Sequence, residues 1–473
     1  MNLLKTGSTT FSRLSSARLG VLLFLLLWFA YGAAINSSNL LDFDLQQVGV
    51  EAMVERHHFY LEHEIPHHRQ SKGDVFTYEG HNYAAKQPGQ FMVGALVYFL
   101  LHMLGLSYVN NYLLTSALVT FFTTSFVLAA SGVAFLGIAR ELTADGHGIL
   151  HSRRPLLWPL AATLSYAFAT TAFSYSGIAH HDVLASGYLV IAFYLLLQLS
   201  RQSTSKRLAY IKAGGAGLLL GLTITTSMLP FFMVVLCTVY FLYLRRWQLL
   251  PVFLAGLFAG VLPLFVYDAV SFGNPLLLPN VAGSSMFPDT FFHFDARNFG
   301  DKLAFYASSV VAYLPVFAVG LLGLSYYPRQ VRRSPEFLTL LALIVALAVF
   351  VLNIKSDGDC QFGPRYLLPA MPFACLGIAG FAYLSSASER RLAGLAVILA
   401  GAFSFVVNLV GALGGAMGCP HGQNAFWNNL ALIRQAGGRS YPLALWLLLP
   451  LLACTALFLK DVAAWRKAKS SPA

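Results

Sequence analysis

The sequence predicts an all-α integral membrane protein, with about 12 transmembrane helices plus one re-entrant or juxtamembrane helix. Three observations lead there. Hydrophobic residues make up 57% of the 473 positions and charged residues only 11%, against roughly 25% charged in a soluble domain. Apolar runs recur from end to end, each close to the ~20 residues that cross a ~30 Å hydrocarbon core. The basic residues sit in short clusters between those runs, where they fix orientation. The formal charge of +11 therefore reflects topology, and nucleic acid is excluded as a partner.

Apolar segments fall at 19–35, 90–106, 112–138, 156–176, 183–200, 209–226, 228–244, 249–269, 303–325, 337–353, 366–384, 393–413 and 442–460. If all of them crossed, the loop carrying Arg140, Arg153 and Arg154 would lie outside and every later loop would invert. Segment 90–106 follows Lys86-Gln87-Pro88-Gly89 and contains His102. Reading it as re-entrant or juxtamembrane removes the conflict. Both termini then lie inside, together with 21 of the 31 basic residues but only five of the 20 acids. The basic asymmetry is the positive-inside signature; the acidic one points to a functional outer face. The organisation expected is a cytoplasmic N-terminus at 1–18, one polytopic domain at 19–460 with a large outer loop at 36–89, and a cytoplasmic tail at 461–473. The first span lacks a small-residue cleavage site and reads as a retained anchor. The absence of a C-terminal retention signal favours the plasma (inner) membrane of a bacterium.

The outer loop is polar and rich in acids and histidines. Asp42 and Asp44 follow the first span, and a carboxylate there can act as general base toward a hydroxyl. Gln46, Gln47, Glu51 and Glu55 alternate with apolar residues, which fits an amphipathic helix at the interface. Lys86, beside Pro88 and close to Tyr83, can hold a phosphate as a point charge. His180-His181-Asp182 lies between two spans, where three polar residues are costly unless they line a cavity. A divalent cation, magnesium or manganese, would take oxygen ligands from Asp44 and Asp182 if one is needed. Arg365, next to Tyr366 at the start of a span, can clamp a phosphate or pyrophosphate. The histidines at 57, 58, 63, 67, 68 and 81 have irregular spacing and read as a pH-sensitive surface. Of the five cysteines, Cys237, Cys375 and Cys454 read as small core residues. Cys360 and Cys419 fall in outer loops where a disulfide could form.

Taken together, these elements resemble the GT-C superfamily of membrane glycosyltransferases, in the branch of the protein O-mannosyltransferases and the aminoarabinose transferase of lipid A. The matching motifs are Phe43-Asp44-Leu45-Gln46, Lys86-Gln87-Pro88-Gly89, His180-His181-Asp182-Val183-Leu184, Phe272-Gly273-Asn274-Pro275 and Gly363-Pro364-Arg365-Tyr366-Leu367-Leu368-Pro369. The sequence departs from the family at Leu45, where an acid is usual, and at Gln87, where a proline is usual. The resemblance implies transfer of a sugar from a polyprenyl-phosphate donor to a lipid, glycan or protein acceptor on the outer, periplasmic or lumenal, face. Asp44 and Asp182 would be catalytic; Lys86, Arg365 and Tyr366 would bind the substrate phosphate; Asp42, His180, His181 and Tyr83 would support them. A transporter or flippase also needs polar residues near helix breaks, but inverted repeats would be expected and none is visible. A non-catalytic membrane subunit would account for the helices and not for the acids on one face.

Overall fold

The computed structural model describes residues 4–61, 74–144, 156–200, 205–283, 299–354, 361–416, 424–435 and 439–470. The expected Cys360–Cys419 pair and His63, His67 and His68 lie outside them. Among the described residues, eight helices are long and apolar enough to cross a membrane, or nine if the bent pair Phe299–Tyr313 and Pro315–Leu324 forms one span. Three shorter apolar helices, Ala17–Ala33, Gly89–Met103 and Phe231–Tyr243, accompany them. The class is that of a multi-pass helical membrane protein. The count by length falls below the 12 read from hydropathy because several apolar segments are broken. Segment 156–176, for example, ends its first helix at Phe168.

The chain begins with α1 (Leu4–Ala33), a short α2 (Ser37–Asp42) and α3 (Leu45–Glu55). A hairpin follows, β1 (Val75–Tyr78) against β2 (His81–Ala84), with Val75 opposite Ala84 and Tyr78 opposite His81. Its two-residue turn places both Glu79 (φ 48°) and Gly80 (φ 88°) in the left-handed region. That turn geometry matches the twist of the flanking strands. Next come α4 (Gly89–Met103) and α5 (Tyr108–Thr120). A π turn at Phe121–Ser125 joins α5 to α6 (Phe126–Ala144), making one apolar rod of 37 residues. The extra residue of a π turn frees a backbone carbonyl. Here the Trp28 indole of α1 donates to Phe121 O at 2.9 Å and stacks on the Phe121 ring at 4.5 Å.

Then come α7 (Leu157–Phe168), α8 (Thr171–Ser174), α9 (His181–Ser200), α10 (Lys206–Thr226), α11 (Phe231–Tyr243) and α12 (Leu250–Phe272). Gly273, in the left-handed conformation at φ 69°, ends α12 as a C-terminal glycine does. Helices α10 and α12 pack backbone to backbone. A Cβ on Gly217 would overlap the Phe253 carbonyl, and one on Gly221 the Leu257 carbonyl. Small residues allow such close approach in lipid, where no hydrophobic drive holds helices together. The final helix, Ala444–Ser470, packs along α1, joined by Arg18 to Asp461 at 2.8 Å.

Helix α4 has 15 residues, about 22 Å at 1.5 Å per residue. That is short of the hydrocarbon core. It buries Gly94, Ala95 and Tyr98 and turns Leu96, Phe99, Leu100 and Met103 outward. Helix α3 corrects the expectation of an interfacial amphipathic helix, since every residue from Leu45 to Ala52 is buried. Its polar side faces other polar helices: Gln47 donates to Thr120 Oγ1 and accepts from the Tyr108 hydroxyl.

The α10–α12 contact makes a direct prediction. Gly217→Val must force the two backbones apart and should cost about 3 kcal/mol. Gly401→Ala, in the helix Ala387–Gly414 with open space at its Cβ, should gain up to ~1 kcal/mol from helix propensity. Thermal unfolding of both variants in detergent measures the contrast.

Candidate active site

The functional side chains converge where several helices begin. Asp182 lies in the first turn of α9 and is 1% exposed. Its neighbours account for its burial. The Ser227 hydroxyl, just after α10, donates to Oδ1 at 2.7 Å. His181 Nε2 lies 3.5 Å from the same oxygen, and Arg365 Nε lies 3.6 Å from Oδ2. A buried carboxylate is tolerable only with such partners.

Arg365 also donates from its Nη1 to His180 Nε2 at 3.1 Å. A guanidinium cannot accept a hydrogen bond, so His180 Nε2 is the acceptor of this contact; Nδ1 lies 3.2 Å from Asp182 N. Burial, reinforced by His181, Arg365 and Lys86, pushes the His180 pKa well below that of an ordinary histidine. Phe43, His180 and His181 form a stack, with ring centroids 4.9 and 4.5 Å apart. The backbone before Arg365 is set by Gly363 at φ 69°, where a Cβ would also meet the Thr171 methyl at 2.6 Å. The Arg365 guanidinium sits 5.0 Å over the Tyr366 ring, a cation–π contact.

Lys86 forms an ion pair with Asp74 at 3.0 Å. The hairpin makes this pair. Asp74 stands at its start with φ 59°, its carbonyl accepts from Ala85 N at 2.7 Å, and Lys86 is the next residue. Gln87 donates to Asn280 at 2.6 Å, tying the segment to the chain beyond α12. Gly89 is required at the start of α4, because a Cβ there would meet the Thr226 backbone at 2.7 Å. The two ion pairs act on one another. Arg365 and His181 influence the Asp74 carboxyl, and Lys86 influences Asp182.

Of the residues expected from sequence, Asp182, His180, His181, Arg365 and Tyr366 come together, with Lys86 inside their field. Asp44 is completely buried as the residue preceding α3, directly after the Phe43 ring that covers His180. Its carboxylate acts on the Tyr112 phenol of α5. Two supporting residues sit elsewhere. Asp42 ends α2 and accepts from the Ser38 hydroxyl at 2.5 Å. Tyr83 packs in an aromatic cluster with Phe76 and Phe272.

The sequence reading missed Asp74 and Ser227. Asp74 was detectable: Val-Phe-Thr-Tyr-Glu-Gly-His-Asn-Tyr-Ala has a two-residue turn between β-prone runs, and a hairpin there brings its flanking residues together. Ser227 left no signal beyond its place at the end of an apolar span.

Among the described residues, the group able to hold a metal ion is His180, His181 and Asp182, whose ligand atoms lie within 4.8 Å of one another. Asp44, expected as a ligand together with Asp182, is not part of this group. Two imidazoles and one carboxylate suit a transition metal rather than magnesium. His181 Nδ1 has no hydrogen-bond partner, while His180 Nε2 is engaged by Arg365.

Lys86 holds the Asp74 carboxyl below its usual range, overcoming the burial that would raise it. A depressed carboxyl pKa stabilises the fold above the unfolded value, about 3.9, and that contribution disappears as pH falls through the folded value. Asp74→Asn should therefore lower the unfolding temperature at pH 7. The difference from wild type should persist down to about pH 4 and vanish below it. Paired melting curves across pH measure this.

No protein-family model matches this sequence, and no curated protein sequence matches it. Solved structures do. The crystal structure of ArnT from Cupriavidus metallidurans bound to undecaprenyl phosphate matches with a TM-score of 0.50 and 15% identity, over 98% of this chain and 75% of that one. The archaeal oligosaccharyltransferase AglB from Archaeoglobus fulgidus, in complex with an inhibitory peptide and a dolichol-phosphate, gives a TM-score of 0.46 and 12% identity, over 87% of this chain and 57% of that one. The match to ArnT runs along nearly the whole chain and shows the fold: this protein is folded like that membrane protein.

Proposed function

We propose that the protein transfers a sugar from a polyprenyl-phosphate donor to a hydroxyl acceptor on the outer face of the membrane. The observation that carries this reading is that two cations, Lys86 before α4 and Arg365 at the start of the 3₁₀ helix Arg365–Ala370, both act on the buried His180-His181-Asp182 cluster at the start of α9. Helix N-termini favour anions. Lysine offers a point charge, and arginine a fork matched to phosphate oxygens. Asp182 at Nε and His180 at Nη1 hold the Arg365 guanidinium in one orientation, which presents its charge to a phosphate. The structural likeness to ArnT, crystallised with undecaprenyl phosphate, supports a lipid phosphate as the anion.

The transfer is inverting. The acceptor oxygen attacks the anomeric carbon as the bond from that carbon to the phosphate oxygen breaks. Asp44 takes the acceptor proton. The polyprenyl phosphate leaves with the bonding electron pair, its growing charge met by Lys86 and Arg365. Asp182 is a positioning residue. With Ser227 it fixes Arg365, and Arg365 in turn keeps His180 neutral. A metal ion at His180, His181 and Asp182 would add positive charge beside the leaving phosphate when bound. The positive-inside pattern puts both termini in the cytoplasm and this site outside.

The test is sugar release from radiolabelled polyprenyl-phosphate sugars by purified protein in lipid, with an acceptor-containing membrane extract. Lys86→Ala and Arg365→Lys should each lower turnover about 100-fold, the usual loss when one charge-stabilising donor is removed. Full activity in Asp44→Asn would remove the base assignment. Failure of wild type to bind or turn over any donor would remove the reading itself.

A further inference from the structure

Adjacent glutamines on α3 have opposite fates. Gln47 is satisfied on the α5 side by Tyr108, Thr120 and Ser116. Gln46 is 1% exposed, and neither its Oε1 nor its Nε2 has a hydrogen-bond partner. A buried carboxamide left unmatched is costly, and native interiors avoid it unless something else supplies the bonds.

The packing of α3 on α4 shows where Gln46 lies. Gly49 faces Phe91, Val50 faces Gly94, and the Tyr98 hydroxyl donates to Glu55. Positions rise together along both helices, so they run parallel. Residues three and four apart share a helix face. Gln46 therefore lies one turn before Gly49 and Val50 on the seam, and Gln90 lies one turn before Gly94. Gln90 is also 1% exposed; its Nε2 donates to Thr124, and its Oε1 has no partner. Thr226, whose backbone abuts Gly89, is fully buried with an unpartnered hydroxyl, and the next residue, Ser227, holds Asp182.

We propose that this end of the α3–α4 seam is the subsite for the donor sugar, and that Gln46, Gln90 and Thr226 hydrogen-bond the hydroxyls of a neutral sugar ring. A carboxamide offers a donor and an acceptor side by side, which matches two vicinal hydroxyls. The three side chains carry no charge, whereas Lys86 and Arg365 lie at the adjoining phosphate position. Ionic groups thus address the phosphate and neutral ones the sugar. The inference rests on the transferase reading and adds the class of sugar to it.

Gln46→Met and Gln90→Met keep side-chain volume and remove the polar atoms; Thr226→Val is isosteric. Dissociation constants are measured in nanodiscs for bare polyprenyl phosphate, for polyprenyl-phosphate hexose and for a polyprenyl-phosphate amino sugar. Each glutamine variant should bind the hexose-loaded lipid about tenfold more weakly while holding bare lipid phosphate within about twofold, the latter also showing that the site is folded. Thr226→Val should show a smaller loss of the same kind. Equal losses for both lipids, or no loss for either, would overturn the subsite. Wild-type preference for the amino sugar would overturn the neutral-sugar assignment. Wild type that binds bare lipid phosphate but gains nothing from the sugar would remove this inference and spare the phosphate site. Wild type that binds none of the three removes the proposed function, and this inference with it.

Discussion

A single buried carboxylate organises this protein. Asp182 is bonded to Ser227 and sits beside Arg365 and His181. Those contacts join the start of α9, the end of α10 and the 3₁₀ helix at Arg365, which are far apart along the chain. Removing either charge would leave the other stranded where water cannot reach, a change that costs 3–5 kcal/mol in buried pairs. Replacing both by apolar groups would hold the helices equally well, so stability alone does not explain the pair. What it adds is a fixed guanidinium, aimed by a partner that cannot move.

The second cation is fixed by other means. Lys86 is held by the hairpin through Asp74 and by the Gln87–Asn280 link to the segment after α12. Gly89 lets the start of α4 close on Thr226. The Lys-Gln-Pro-Gly stretch is thus a set of backbone constraints as much as a ligand.

The class of the fold was legible because apolar length and basic asymmetry report directly on the bilayer. Asp182, Arg365 and Lys86 were legible because charge in such surroundings must be compensated. The limits were equally physical. Segment 366–384 is a candidate span in the structure as well, Arg365–Tyr383, but hydropathy does not show that it is built of short pieces, Arg365–Ala370, Met371–Cys375 and Gly377–Gly380. Pro369 and Pro372 interrupt its backbone pairing. Gln46, Gln47 and Glu51 have the period of an amphipathic helix, but a polar face pattern does not distinguish water from a polar protein interior. Asp74 shows its role only once the hairpin inside the outer loop is paired, which sets it beside Lys86.

The two halves of the charge site differ in how the chain reaches them. Asp74 and Lys86 are close in sequence and are joined by one tight hairpin, a contact of the kind that forms within microseconds. Arg365 and His180 are 185 positions apart and can meet only after most of the intervening helices have been made and inserted. During synthesis the first half is therefore complete while the second does not yet exist. Asp182 must wait among apolar helices with its neighbour His181 and, 45 positions downstream, Ser227 to shield it. The hydroxyl at Ser227 thus has a role in assembly, as an interim partner of a carboxylate whose arginine is still to come.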